Sequence, residues 1–186
     1  MQSTHLKKIL GMAALLGAFA TPAAFATTLT ATQSAPLAAG STVEIDIRVD
    51  GVTDLYAYQY SFLFDPTVLQ FAGYADGGFL GAGAIVDGGA PDDAPGILSY
   101  AFGALLGAVP GVTGSGSLVR YTFNVIGAGS TGIDFTDVLF LDSNLNDIAV
   151  QYGPQVLAAV PEPTTYLMFG AGAMLLAALR RRRTTV

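Results

Sequence analysis

Val43-Glu44-Ile45-Asp46-Ile47-Arg48-Val49-Asp50 and, after a short Gly51-Val52 turn, Tyr56-Ala57-Tyr58-Gln59-Tyr60-Ser61-Phe62-Leu63-Phe64 are the residues whose reading decides the fold. In the first stretch aliphatic and polar side chains alternate strictly. Successive side chains of a strand point to opposite faces, so this is a half-buried strand with one apolar side. In the second, Tyr56, Tyr58, Tyr60, Phe62 and Phe64 repeat at the same period, with Ala57, Gln59 and Ser61 opposite. Further along, Val119, Tyr121, Phe123 and Val125 alternate with Arg120, Thr122 and Asn124. Shorter apolar stretches follow or intervene at 96–102, 132–135, 138–141, 148–151 and 155–158. Clusters of Gly, Asp, Ser and Pro separate them, as at Asp76-Gly77-Gly78, Asp87-Gly88-Gly89, 90–96, 111–116 and 127–132. No segment between 27 and 160 carries a convincing helical period. Short strands punctuated by turn signals define an all-β sandwich or jelly roll.

This middle section is the size of one domain with a sizeable core. Its charge is strongly one-sided. Of the eight basic residues only Arg48 and Arg120 fall within it, whereas thirteen of the fourteen acids do, all but Glu162. The section is therefore far more acidic than the chain's net charge of −6 suggests. Such a surface repels phosphates, so nucleic acid is excluded as a partner. The chain has no cysteine. Burial alone must hold the fold, and thiol catalysis, haem attachment and cysteine-ligated zinc are ruled out.

The two ends read as targeting segments. Lys7 and Lys8 precede an apolar run from Ile9 to Ala20, and Ala24-Phe25-Ala26 offers an A-x-A cleavage site. That is the pattern of a signal peptide over 1–26, cleaved after Ala26. The single histidine, His5, leaves with it. At the other end, Pro161-Glu162-Pro163 halts regular structure, an apolar run extends to Leu179, and Arg180-Arg181-Arg182-Arg183 closes it. A helix over 164–179 rises about 24 Å, short of the roughly 30 Å bilayer core but enough for a transient span. The arginines would be retained on the cytoplasmic side. These three parts, in this order, resemble a PEP-CTERM sorting signal over 160–183. The resemblance implies an exosortase as processing partner, cleavage near Pro161–Pro163, and a path from membrane anchor to cell surface or extracellular matrix.

Within 27–159, the strand Val43–Val49, the Gly51-Val52 turn, the aromatic strand Tyr56–Phe64 and Asp65-Pro66-Thr67-Val68-Leu69 resemble the opening of a cohesin domain. Gly96-Ile97-Leu98-Ser99-Tyr100, Gly114–Leu118 leading into Tyr121–Val125, and the Asp142–Asp147 turn continue the likeness. The family implies a jelly-roll sandwich of about nine strands, related to certain carbohydrate-binding modules. Its dockerin-binding role does not follow from the fold.

Candidate sites are few. The aromatic face of Tyr56–Phe64 is expected in the core, because large aromatics dominate cores by buried area. Tyr56, nearest the strand start, is the one expected at the surface, where a ring could stack on a sugar. Asp65-Pro66 reads as a turn, with Asp capping and Pro presetting φ. Asp87, Asp92 and Asp93 sit in a long Gly/Pro-rich connection, the first place to look for contacts to sugar hydroxyls or a cation. Asp142-Ser143-Asn144-Leu145-Asn146-Asp147 resembles the start of a calcium loop. However, Asp147 stands where glycine is needed and Gly153 where the closing acid is needed, so it reads as a hairpin loop, with calcium the lesser alternative. No other cofactor and no metal is expected. Without histidine, cysteine or a marked carboxylate pair, an enzyme is not expected either. The expected function is a non-catalytic surface or biofilm-matrix protein that binds exopolysaccharide or an exported protein. The alternative is a self-associating matrix component.

Overall fold

The computed structural model describes residues 26–159 and Met174. Most of the expected signal peptide, the Pro161–Pro163 motif, the 164–179 span apart from Met174, and Arg180–Arg183 lie outside the described residues. Among the described residues no helix is long and apolar enough to cross a membrane.

Ten strands make up the domain: β1 (Thr27–Gln33), β2 (Thr42–Phe64), β3 (Leu69–Asp76), β4 (Ile85–Asp87), β5 (Ala90–Pro91), β6 (Ile97–Ala104), β7 (Val112–Val125), β8 (Thr131–Asp142), β9 (Val150–Gln151) and β10 (Gln155–Leu157). The alternating Val43–Asp50 stretch and the aromatic Tyr56–Phe64 stretch are one continuous strand, β2, which serves both layers of a sandwich. Its first half pairs antiparallel with β1 (Ala31↔Ile47) and with β7 (Ile45↔Tyr121). Its second half pairs with β6 (Gln59↔Phe102) and β8 (Gln59↔Leu139). The corner lies at Gly51–Leu55, where the register with β7 slips and both Gly51 (φ 68°) and Asp54 (φ 58°) adopt left-handed backbone. Glycine reaches that region without penalty, which is why the strand can turn from one layer to the other there. The first sheet runs β9-β1-β2-β7-β3, with β9 parallel to β1; the second runs from β4 and β5 through β6, β2 and β8 to β10.

The core lies between the layers. Ile45, Ile47 and Val49 enter from the first half of β2, Tyr58, Tyr60 and Phe62 from the second, Tyr121 and Phe123 from β7, and Phe135 and Phe140 from β8. Phe62 stacks on Tyr121 across the interface, with ring centroids 5.1 Å apart. Three phenols are buried here, and each hydroxyl is satisfied. Tyr58 donates to the Leu118 carbonyl at 3.3 Å. Tyr121 donates to the Gly88 carbonyl at 2.9 Å, and this leaves its oxygen to accept from Tyr60 at 3.3 Å. Among the described residues no buried side-chain polar atom lacks a partner.

Several boundaries differ from the sequence reading. The stretches at 132–135 and 138–141 are one strand, β8, kinked at Asp137, which has a φ of 53°. β7 begins at Val112, inside a glycine cluster that reads as a loop. The connection before Ile97 contains β4 and β5, both paired to β6. β1, whose Thr-rich pattern is only weakly apolar, is nonetheless laid against β2 with Leu29 and Ala31 buried.

Candidate functional site

The two outer faces of the sandwich differ in kind. On the first sheet, Thr28, Thr30 and Thr32 of β1 lie beside Asp50, Arg48 and Asp46 of β2. Glu44 and Asp46 in turn lie beside Thr122 and Arg120 of β7. Arg48 pairs with Asp46 at 3.3 Å, Ser117 hydrogen-bonds the same carboxylate, and Arg120 donates to the Gly77 carbonyl at 3.3 Å. This is a solvated polar face.

The outer face of the second sheet is apolar at its centre. Gln59 stands between Phe102 of β6 and Leu139 of β8, and the next pair along, Ala57, stands between Ala104 and Leu141. Phe102 is 39% exposed and Leu139 41%. With Ala57, Gln59 and Gly103 they floor a shallow hollow of about 220 Å³. Two bulges flank the β2 segment at Tyr60–Ser61. On β6 the register slips so that Leu98 and Ala101 both face inward, while Tyr100 (φ 57°) projects outward, 62% exposed. On β8 the slip falls at Asp137. The Tyr100 amide donates to Ser61 Oγ at 3.3 Å and so anchors the first bulge.

Beyond Phe102 the face opens into a groove of about 460 Å³, lined by Asp87, Gly89, Pro91, Asp92, Asp93 and Tyr100 among others. The three acids that the sequence singles out are thus brought together beside two exposed aromatics. Their connection is not a free loop. Asp87 Oδ1 accepts from the Gly89 amide at 2.8 Å, and Tyr121 holds the Gly88 carbonyl from below. Asp92 accepts from the Ser99 hydroxyl at 2.7 Å and the Asp93 amide at 2.7 Å. These donors, the Ser99 hydroxyl first, hold the Asp92 carboxyl below its ordinary range.

Tyr56 is half-buried and lines neither hollow; its hydroxyl donates to the Gly107 carbonyl at 2.8 Å. Asp65 caps its turn, accepting from the Thr67 amide and hydroxyl at 2.8 and 2.6 Å. Asp142 is likewise occupied by its own loop, with the Asn144 and Asn146 amides at 2.8 and 2.9 Å and Asn146 Nδ2 at 3.0 Å. The Asn146 side chain is the main reason its pKa is lowered. Among the described residues no three acids or histidines stand close enough to hold a metal ion.

Sequence reading missed Tyr100, Phe102, Leu139 and Leu141. Strict alternation from the buried Leu98 would send Tyr100 and Phe102 inward, and only the bulge reverses them. For Leu139 a signal existed: Val138-Leu139-Phe140-Leu141 is apolar on both faces, more than one buried face requires.

The β-sandwich thus presents one polar and one partly apolar outer face. The chain belongs to the cohesin domain family, whose model matches residues 26–155. The PEP-CTERM protein-sorting motif matches residues 159–183. Together they mark an exported, surface-associated protein carrying a non-catalytic binding module. Among solved structures the chain is similar to a non-cellulosomal cohesin from the archaeon Archaeoglobus fulgidus, at 16% identity, TM-score 0.61, covering 77% of this chain and 98% of that one. A type II cohesin module from an adaptor scaffoldin of Acetivibrio cellulolyticus matches at 20% identity, TM-score 0.62, with 76% and 94% covered. The sixth cohesin of that organism's scaffoldin B, solved in complex with a Cel5 dockerin mutant, matches at 14% identity, TM-score 0.61, with 73% and 100% covered. No curated protein matches the chain in sequence.

Proposed function

We propose that this protein captures a partner protein at the cell surface with the outer face of its second sheet, and that its tail tethers it to the membrane until an exosortase cuts near Pro161–Pro163. The observation that carries the reading is the contrast between the two faces. Exposed large apolar side chains grouped on one face cost solubility unless something covers them, and Tyr100, Phe102 and Leu139 are so grouped. Aromatic anchors of this kind dominate protein interfaces. A solved relative held by a dockerin supports a protein rather than a polysaccharide as the ligand. A β-sheet face is flat and rigid, so it suits a preformed partner surface and needs no closing lid.

Photo-crosslinking tests this. A photoreactive residue would replace Leu139 in the full chain expressed in its own cells, and in a second strain it would replace Thr122 on the polar face. The expected result is a saturable protein adduct from position 139 and none from 122. Adducts to polysaccharide only, or equal labelling from both faces, would overturn it.

A further inference from the structure

The docking face is apolar at its centre and acidic around it, and among the described residues no positive charge offsets those acids. Asp87, Asp92 and Asp93 line the groove beside Phe102. Asp134 and Asp137 are exposed on β8 along the other flank. The only Lys or Arg residues in 26–159 are Arg48 and Arg120, and both belong to the first sheet, where Asp46 and the Gly77 carbonyl occupy them. The Asp92 carboxylate already accepts from Ser99 and the Asp93 amide, so it is fixed in place rather than free to swing away from an incoming surface.

We infer that the partner presents an apolar ridge flanked by lysine or arginine, the ridge covering Phe102 and Leu139 and a cationic side chain entering the groove between Tyr100 and Asp92–Asp93. The inference rests on the docking role proposed above and adds the chemistry of the partner. Any protein that covers Phe102 and Tyr100 also takes water from the neighbouring carboxylates. Left unpaired, those charges would offset part of what the apolar contact contributes. A guanidinium or ammonium in the groove repairs that loss, with the open ring of Tyr100 adding a cation–π contact. The same charges steer approach from solution and reject acidic surfaces. A second copy of this chain is among those rejected, because face-to-face pairing would set aspartates against aspartates.

Selection with a defined probe tests the inference. A displayed library of one small helical scaffold, randomised over a single face, would be selected against the detergent-solubilised full chain. Binders would then be measured against Phe102→Glu, Asp93→Asn and the double variant Asp92→Asn/Asp93→Asn. The Asp93 side chain makes no hydrogen bond within the domain, so its substitution leaves the fold intact and guards against a misfolded double variant. The expected binders combine apolar residues with enriched Lys and Arg. Their affinity should weaken about tenfold as NaCl rises to roughly 0.5 M, and by a similar factor in the double variant. Binders that require Phe102 yet lack Lys and Arg, and ignore both Asp variants, would overturn the inference and leave the docking role standing. Binders indifferent to Phe102 would overturn both.

Discussion

Tyr100 is held where a tyrosine has no local reason to be. Left-handed backbone at a bulky residue costs about 1–2 kcal/mol, and Tyr100 sits at φ 57° with most of its ring in solvent. The Ser61 hydroxyl holds the Tyr100 amide, but among the described residues the Tyr100 hydroxyl makes no hydrogen bond that would offset that cost. A glycine would serve the bulge better, and the cost at Tyr100 accords with the docking role proposed for its ring. Tyr100→Gly is therefore expected to keep or raise stability by up to about 1 kcal/mol in urea unfolding, while lowering partner affinity by about tenfold or more. A loss of stability as large as that of a core residue would show that the ring serves the fold instead. At this scale legibility was uneven. Asp65 declared its turn because Asp-Pro-x chemistry is local, confined to a few neighbouring residues. Tyr100 was opaque because its direction depends on a slip between β6 and β2, which no periodicity within one strand records.

β2 carries the fold at the next scale. One uninterrupted strand supplies the central member of each sheet, so its inward face meets both layers. Its alternation made each half readable; what escaped was that the Gly51–Leu55 turn redirects the strand rather than ending it. Phe62 is the point where the layers meet, stacked on Tyr121 and within 6.1 Å, centroid to centroid, of Phe123 and Phe135. It is fully buried. Phe62→Ala would leave a cavity that rigid strands on both sides cannot close, for a loss of about 3–5 kcal/mol in chemical denaturation. A loss below about 1 kcal/mol would mean that the two layers pack independently. The short strands β4 and β5 were not legible, since three and two residues carry no period; pairing to β6 and the Tyr121 bond to Gly88 create them.

At the scale of the whole molecule, charge and cysteine content were legible from composition, and each has a physical consequence for the mature protein. The tail's four arginines offset part of an acidity that the domain expresses in full once it is alone. If processing removes them, the secreted form should show an intact mass that ends near Pro161–Pro163 and lacks Arg180–Arg183. A mature chain that still carries the arginines would contradict the sorting role. With no disulfide, the fold depends on a core that contains three phenols, and burial pushes Tyr58, Tyr60 and Tyr121 well above the ordinary tyrosine pKa of 10.0. The sign of the resulting pH dependence comes from proton counting. Below about pH 10 the phenols are protonated both folded and unfolded, and their burial contributes fully. Above it the unfolded chain releases these protons while the folded one keeps them, so stability falls as pH rises. The melting temperature should hold steady between pH 7 and about 9.5 and then drop, with the phenolate absorbance of these three residues appearing only together with loss of β-sheet circular dichroism. Phenolate from all tyrosines at about pH 10 with the sheet signal intact would mean that water reaches the space between the two sheets, and that the sandwich is not closed.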